Sequence, residues 1–506
     1  ALAALGLPAH DNAWARVQLA TNPFGLGVAS GDPTHEGMVL WTRLFDPLHP
    51  LPAQDLPVRW EVALDPSFTR TVQSGVTLAV AALAHSVHVE VSGLPANQWF
   101  HYRFVVGEHV SPAGTTRTFA APGTPQQALR IGWASCQHYE HGYFSAYSHL
   151  AREQPDLLVF VGDYIYEYAP GKHGMRTHSG SWCLDLPGYR ERYAQYRLEP
   201  ELQRMHAACP WVLTWDDHEV QNDYAGRHPG NAGPATDFGA RRAAAYPAYY
   251  EHMPLRTSAL IAGLQGLQTG AELRLYTHHR LGDLVSLCML DTRQYRDPQV
   301  CTPGGRPGSG LVAPQLCAAL GDPQRSLLGR AQEQWLERQL AQAQGPLWHI
   351  LAQATLLGAC ITGTREGEKV WNDGWDGYPA ARSRLTALLH RHRVPNAVVL
   401  GGDVHENWVG YIKRDYSDPD SETLGVEFCG TSISSRNNRS TQARLQRNPH
   451  FIFAEGTRRG YGLLHINHEA LVVHLRTLVD PRDRATGIET LASFRLASGA
   501  KQLQIL

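Results

Sequence analysis

From Phe24 to about Phe119, apolar and polar positions alternate along the chain. MVLWTRL, VRWEVAL, SVHVEVSGL and WFHYRFVV are short runs of period two, divided by Gly, Pro and Asn turns. Alternation sends one set of side chains inward and the other outward, as in half-buried antiparallel strands. Several such strands within about 100 residues predict a small antiparallel β-sandwich, here assigned to residues 20–118. SPAGTTRTFAAPGTPQQ follows, rich in Pro, Gly and Thr, and reads as a linker near 111–128.

Beyond the linker the pattern changes. Continuous apolar runs now end in a reactive side chain: LRIGWAS at Cys136, DLLVFVG at Asp163, WVLTW at Asp216 and Asp217, LVSLCML at Asp291, and NAVVLGG at Asp403 and His405. GYFSAYSHLAREQ and RAQEQWLERQLAQAQ between them carry helical patterns. Buried strands alternating with helices predict a layered α/β domain over 128–482, with 483–506 left as a C-terminal tail. Ligands in such sheets bind at the carboxyl ends of the strands, so these strand-end residues are expected to form one site. The Gly-rich AGRHPGNAGPATDFGA and CTPGGRPGSGLVAPQLC are expected to be surface excursions that shape its cleft.

Composition narrows the possible functions. The 506 residues carry Lys+Arg 45 against Asp+Glu 47, a net charge of -2. There is no basic excess to hold nucleic acid, and no polybasic run to hold a membrane surface. No apolar stretch reaches the roughly 18–20 residues of a membrane span, and no obligate protein partner is evident. The opening ALAALGLPAH, without Met, is either the remainder of a cleaved apolar export segment or a plain chain start. None of the eight cysteines forms a CxxC pair. Cys301 and Cys317 flank a Gly/Pro-rich loop and either pair, in an exported protein, or stay as two reduced surface thiols.

The candidate chemistry lies in four segments. Asp163 in GDYIYEY ends a buried run, where a carboxylate is costly unless paired or metal-bound. Tyr166 follows three residues later and one turn can bring both to the same ion. The alternative for Asp163 is a turn or helix-capping residue. In WDDHEVQND, Asp216, Asp217, His218, Glu219, Asn222 and Asp223 crowd one loop. A cation would relieve their repulsion, and the alternative is a solvated polar loop. Asp403 and His405 of GGDVHENW alternate, so both face one way on an extended segment. Cys136 in ASCQ is either a small buried apolar side chain or, beside Asp163 and His405, a thiolate ligand.

Together these segments resemble the metallophosphatase superfamily, and within it the alkaline phosphatase D, or PhoD-like, phosphodiesterases and phosphatases. FGLGVASGDPTHEGMVLWTRL, SCQHYEHGYFSAY, GDYIYEY, TWDDHEVQNDYA, LDTRQYR, WNDGWDGY, GGDVHENWV and EFCGTSISS carry the likeness, in that order, from about Phe24 to Asp480. SCQ, DDHE and GDVH stand where the common superfamily pattern has D-x-G, G-N-H-[DE] and G-H-x-H. SVHVEVSGLPANQWFHYRFVV resembles the closing strands of fibronectin-like domains. The resemblance implies a four-layer α/β/β/α metallophosphoesterase sandwich behind the small β-sandwich.

It also implies one ferric ion and calcium. Cys136, Tyr166 and His405 offer the thiolate, phenolate and imidazole that suit iron. Asp217, Asn222 and Asp403 offer only oxygen, which suits calcium. Asp163 would bridge the two sites, and Gln353 stands where relatives often place a metal histidine. Among Asp216, Asp217 and Asn222 the choice stays open, with Asp217 at the motif position. The implied reaction is hydrolysis of phosphate mono- and diesters by a metal-bound hydroxide, with His218 as catalytic residue or, alternatively, as a group orienting Asp217 or Asp163. A phospholipase D-like lipid hydrolase and a catalytically silent binding protein are the other readings. A periplasmic or secreted location is implied by the resemblance alone.

Overall fold

The computed structural model describes residues 12–506 apart from 173, 235, 236, 262, 264, 265, 267–271, 344, 364–366 and 438. The segment ALAALGLPAH, read as a possible export remnant, lies outside the described residues.

Two large sheets face one another. In the first, ten strands run in the spatial order Gln504–Ile505, Ile488–Ala497, Ala470–Leu478, Gly460–Asn467, Ala128–Ala134, Leu157–Val161, Trp211–Thr214, Val28–Gly31, Met38–Arg43 and Ser86–Val91. In the second, seven strands run Thr277–Leu281, Val285–Met289, Trp348–Ala352, Ala397–Gly401, Thr423–Cys429, Asn407–Lys413 and Phe451–Glu455. Ile131, Val159, Leu287, Ile350, Val398 and Leu464 fill the space between them. The helices Ser145–Arg152, Leu186–Arg197, Pro200–Ala208 and Phe238–His252 cover the outside of the first sheet. Arg330–Leu340 and Pro379–Arg391 cover the second. The four layers are therefore α/β/β/α. The strands Leu157–Val161, Val285–Met289, Trp348–Ala352 and Ala397–Gly401 are buried at every position. Both faces are covered, which is why they read as continuous apolar runs rather than alternating ones.

The N-terminal strands do alternate. In Trp99–Val106, Phe100, Tyr102, Phe104 and Val106 point into the core and their neighbours point out. This strand belongs to a small separate sheet with Leu56–Ala63, Thr71–Ala79, His109–Val110 and Gly114–Arg117. Its partner layer in the β-sandwich is the end of the ten-stranded sheet. Val28–Gly31 joins that sheet by parallel pairing of Gly31 with Trp211. Met38–Arg43 consequently has both faces buried. Met38 and Leu40 enter the sandwich core, while the Trp41 indole packs with Ala194 and donates to the Glu251 carbonyl.

Two segments differ from their sequence reading. Gly114–Arg117, inside the expected linker, is a strand paired with Trp99–Val106. Much of the expected tail also pairs: Ile488–Ala497 lies against Ala470–Leu478 along its length, and Gln504–Ile505 against Ile488–Ala497. Neither segment shows a strong apolar run. Each is recruited by backbone pairing to a strand already in place, a contact that composition does not encode.

Candidate metal centre

The strand-end residues meet where the two sheets abut. Cys136 follows Ala128–Ala134, Asp163 follows Leu157–Val161, and Asp216 and Asp217 follow Trp211–Thr214, all from the first sheet. Asp403 and His405 follow Ala397–Gly401 of the second. Ligand atoms of Cys136, Asp163 and His405 lie within 4.8 Å of one another, as do those of Asp163, Asp217 and His218, and those of Asp216, Asp217 and Asp403. Asp163 belongs to two of these groups, and Asp217 links the second to the third. Tyr166 turns back onto the first: its hydroxyl donates to Asp163 Oδ2 at 2.9 Å and lies 3.1 Å from His405 Nε2.

The backbone is held in an unfavourable conformation to do this. Cys136 (φ 58°), Asp163 (φ 59°), Asp403 (φ 63°) and His405 (φ 55°) are all left-handed. Such non-glycine residues cost about 1–3 kcal/mol each and collect at functional sites. A chain optimised only for stability would place Gly or Asn at these turns.

Electrostatics points the same way. Asp216, Asp217 and Asp373 are buried around Arg293, which is itself fully buried, and Asp163 is buried beside His218. Arg293 Nε lies 2.5 Å from Asp216 Oδ1, and its Nη2 lies 2.8 Å from Asp373 Oδ2 and 3.5 Å from Asp217 Oδ1. Burial pushes the Asp163 carboxyl well above the usual carboxylate range against His218, and the Asp403 carboxyl likewise against Arg293. At Asp217 burial also pushes upward, but Arg293 and His218 overcome it and hold the carboxyl low. Asp163 Oδ1 is buried with no hydrogen-bond partner, and Asp217 Oδ1 has none beyond the distant guanidinium. A carboxylate oxygen stranded in this way costs roughly 1–3 kcal/mol. A cation between the two removes that cost, so the residues present fit a metal.

The network also ranks the acidic loop. Asp216 is taken by Arg293, whereas Asp217 keeps one oxygen free and accepts the Asp223 amide on the other at 2.6 Å. Asn222 lies beside them with its amide engaged: Tyr168 donates to Oδ1 at 2.7 Å, and Nδ2 donates to Asn231 at 3.1 Å. Asp403 is oriented by Thr355, whose hydroxyl donates to Oδ2 at 2.8 Å. Replacing Arg293 by Met leaves Asp216 as an uncompensated buried charge, while Asp373 keeps Arg296 at 2.8 Å. We expect a loss of about 3–5 kcal/mol of stability, read as a lowered denaturation midpoint.

Three residues that carried no assigned role in the sequence prove structural to this site. Glu219 accepts the backbone N–H groups of Asp163, Tyr164 and Asp216, tying the two acidic turns together. Glu167 Oε2 lies 2.8 Å from His218 Nδ1 and its Oε1 accepts the Asn222 amide at 2.8 Å. Ser435, from the loop after Thr423–Cys429, reaches the Tyr166 oxygen at 2.7 Å. Glu219 and Glu167 stand within the quoted motifs, one residue from an assigned position, and spacing could have nominated them. Ser435 ends the quoted EFCGTSISS, but it is more than 260 residues from Tyr166 in sequence and no spacing joined the two.

Two other strand ends do not join the centre. Asp291 is consumed locally, accepting from Arg293 N, Gln294 N and Trp215 Nε1. The Gln353 amide is used by Thr355 and Trp375. Arg382, which follows the quoted WNDGWDGY, is paired with Asp376 at 2.5 Å.

A cleft of about 880 Å³ opens beside the centre, reaching Asp403 and His405 and bounded by Leu311, Trp371, Arg436 and Arg439. Tyr164, Trp375, Tyr378 and Trp408 are core residues, almost wholly buried. Trp371 is the tryptophan that remains partly open to the cleft. Leu311 pairs with Trp371, and the loop that carries Leu311 is closed by a Cys301–Cys317 disulfide.

Family models for the PhoD-like phosphatase and for its N-terminal domain match residues 131–475 and 10–120. Alkaline phosphatase D of Bacillus subtilis (strain 168) is 42% identical over 485 residues, which cover 93% of this chain and 80% of that protein. The solved structure of PhoD superposes with a TM-score of 0.89 at 41% identity, covering 97% of this chain and 93% of the other.

Proposed function

This chain belongs to the PhoD-like phosphatase family and is a phosphoric ester hydrolase, and we propose that it works with iron(III) and calcium at the centre described above. In this reading Cys136, Tyr166 and His405 hold iron, Asp217, Asn222 and Asp403 hold calcium, and Asp163 serves both. The observation that carries it is the chemical sorting of donors around Asp163. Sulfur, phenol and imidazole converge on one side, where Tyr166 touches both Asp163 and His405. Carboxylate oxygens of Asp216, Asp217 and Asp403 gather on the other, with His218 beside them turned by Nδ1 to Glu167. Phenolate and thiolate favour a ferric ion, and oxygen-only sets favour calcium. Bound metal would supply charge neutralisation on the phosphoryl oxygens and acidify the attacking water.

The remaining chemistry belongs to the chain. Glu167 accepts the His218 Nδ1 proton and so fixes the ring with its Nε2 edge free. Burial works against a charged imidazole, but in the metal-free chain the neighbouring Asp163, Asp217 and Glu167 outweigh it and raise His218 well above its usual range. An N–H donor in that position hydrogen-bonds a phosphoryl oxygen or delivers a proton to the leaving oxygen. Arg293 is occupied by three carboxylates and takes no part in gripping substrate; its role is to let Asp216 and Asp373 stay buried beside the site.

The test is spectroscopic and elemental. The purified protein is expected to show a visible phenolate- or thiolate-to-iron(III) band and to contain both metals. Cys136→Ser should mainly lose iron, with calcium retained. A colourless, fully active protein containing zinc alone would overturn the assignment.

The same site suits diesters as well as monoesters. The proposed ligands include no Lys or Arg; cations that face the cleft, Arg436 and Arg439 on its wall and His218 at the centre, can serve a diester monoanion as well as a monoester dianion. The cleft gives the second ester group somewhere to lie, against Trp371 and Leu311. Turnover of bis-para-nitrophenyl phosphate is expected beside that of para-nitrophenyl phosphate, both rising from neutral to alkaline pH. Comparison of kcat/KM for the two across pH checks this; monoester turnover alone, peaking below neutrality, would contradict it.

A periplasmic or secreted location is part of the proposal. The Cys301–Cys317 disulfide supports it, because such bonds persist in oxidising compartments. Among the described residues no helix is long and apolar enough to cross a membrane.

A further inference from the structure

The loop Gly430–Ser435 leaves the second sheet and laces along the strand end of the first. Ile433 N donates to Ser135 O at 3.0 Å, and Ser434 Oγ donates to His138 O at 2.9 Å. Ser434 N and Ser435 N approach the Cys136 carbonyl at 3.4 and 3.2 Å. Ser435 is fully buried, and its hydroxyl sits among three groups. His138 N–H donates to it at 3.2 Å, Cys136 O lies at 2.8 Å and the Tyr166 oxygen at 2.7 Å.

A serine hydroxyl has one proton to donate, and two oxygens compete for it here. The Cys136 carbonyl already has two backbone N–H groups in reach. The Tyr166 oxygen has Asp163 Oδ2 and His405 Nε2 as its other neighbours. As a phenol, Tyr166 donates its own proton to Asp163. As a phenolate it has no proton, Asp163 can only accept, and a His405 nitrogen used as a metal ligand cannot donate. Ser435 is then the hydrogen-bond donor left to it among the described groups.

We propose that Ser435 is a positioning residue for the metal centre: its hydroxyl donates to the Tyr166 oxygen, holds the ring over Asp163 and sets the donor strength of the phenolate. The proposal rests on the reading of Tyr166 as an iron ligand. Partners of this kind, one shell outside a metal, typically alter metal affinity about 10–100-fold. A hydrogen bond to a phenolate lowers the energy of the electrons it offers to iron(III). Its removal therefore shifts the charge-transfer band to longer wavelength.

The experiment uses the holoenzyme with Ser435→Ala, Tyr166→Phe and the double variant, reading the visible band and iron loss to a competing chelator. Ser435→Ala is expected to move the band to longer wavelength and to weaken iron retention about 10–100-fold. In the Tyr166→Phe background the same change should have less than about a twofold effect, since its partner is gone. An unmoved band, or an equal loss of iron in both backgrounds, overturns the role of Ser435 while leaving Tyr166 as ligand. A wild-type protein with no visible band removes the iron reading, and this proposal with it. If the alanine chain does not fold, Ser435→Cys, with a weak donor of similar shape, should still shift the band; an unshifted band counts against the proposal in the same way.

Discussion

Asp163→Asn is expected to lower turnover by at least about 10³-fold, the scale of losing preorganised charge stabilisation at a reacting centre, and to lower bound metal at both sites together. The reason is placement. Asp163 Oδ2 faces Tyr166 and His405, and its carboxylate also falls in the group with Asp217 and His218. One residue therefore feels both halves of the donor set, unlike Cys136 on one side or Asp403 on the other. Metal analysis and kcat for the variant decide this: normal metal content with normal activity would refute the bridging role. A second consequence separates ligand loss from misfolding. In the metal-free protein the Asp163 carboxyl is buried with an unpartnered oxygen and is pushed far toward its neutral form. Asparagine is neutral and nearly isosteric, so the metal-free variant should be at least as stable as the metal-free parent. A lower melting temperature for the metal-free variant would show that Asp163 is held by contacts of another kind.

His218→Gln is expected to cost about 10²–10⁴-fold in kcat for esters of poorly acidic alcohols, the range of one lost general acid. The cost should be much smaller for 4-nitrophenyl esters, whose leaving group departs without a proton. That contrast follows from a ring whose Nδ1 is committed to Glu167 and whose protonated form is favoured by its carboxylate neighbours. Measuring kcat across leaving groups of graded acidity tests it, because the wild-type and variant lines should converge at the acidic end. Parallel lines would mean that His218 does not protonate the leaving group and serves to orient Asp163 or Asp217.

Much of this molecule was legible one residue at a time. The period-two run WFHYRFVV and the all-apolar runs such as AVVLG became strands close to their expected positions, since each pattern is a direct record of which faces are covered; MVLWTRL also became a strand, but one covered on both faces. Cys136, Asp163, Asp217, Asp403 and His405 were nominated because a reactive side chain at the end of a buried run is expensive unless it has a purpose, and the structure brings all five together. Asp291 ends such a run too, yet it caps its own turn. Strand-end position marks candidates and does not choose among them.

What the sequence determined alone was the alternation of strand and helix, the set of donor types and the motif order that marks the family. What only the tertiary structure decided was which of these groups share a space. Arg293 was visible as a cation, but its commitment to Asp216 and Asp373 needs chain segments some 80 residues apart to meet. The same holds for Ser435 over Tyr166, and for the N-terminal strands that continue the catalytic sheet through Gly31 and Trp211. Local pattern encodes burial, because each residue meets its own environment. Pairing between distant segments depends on the relative placement of two surfaces, and no single stretch of sequence carries that information.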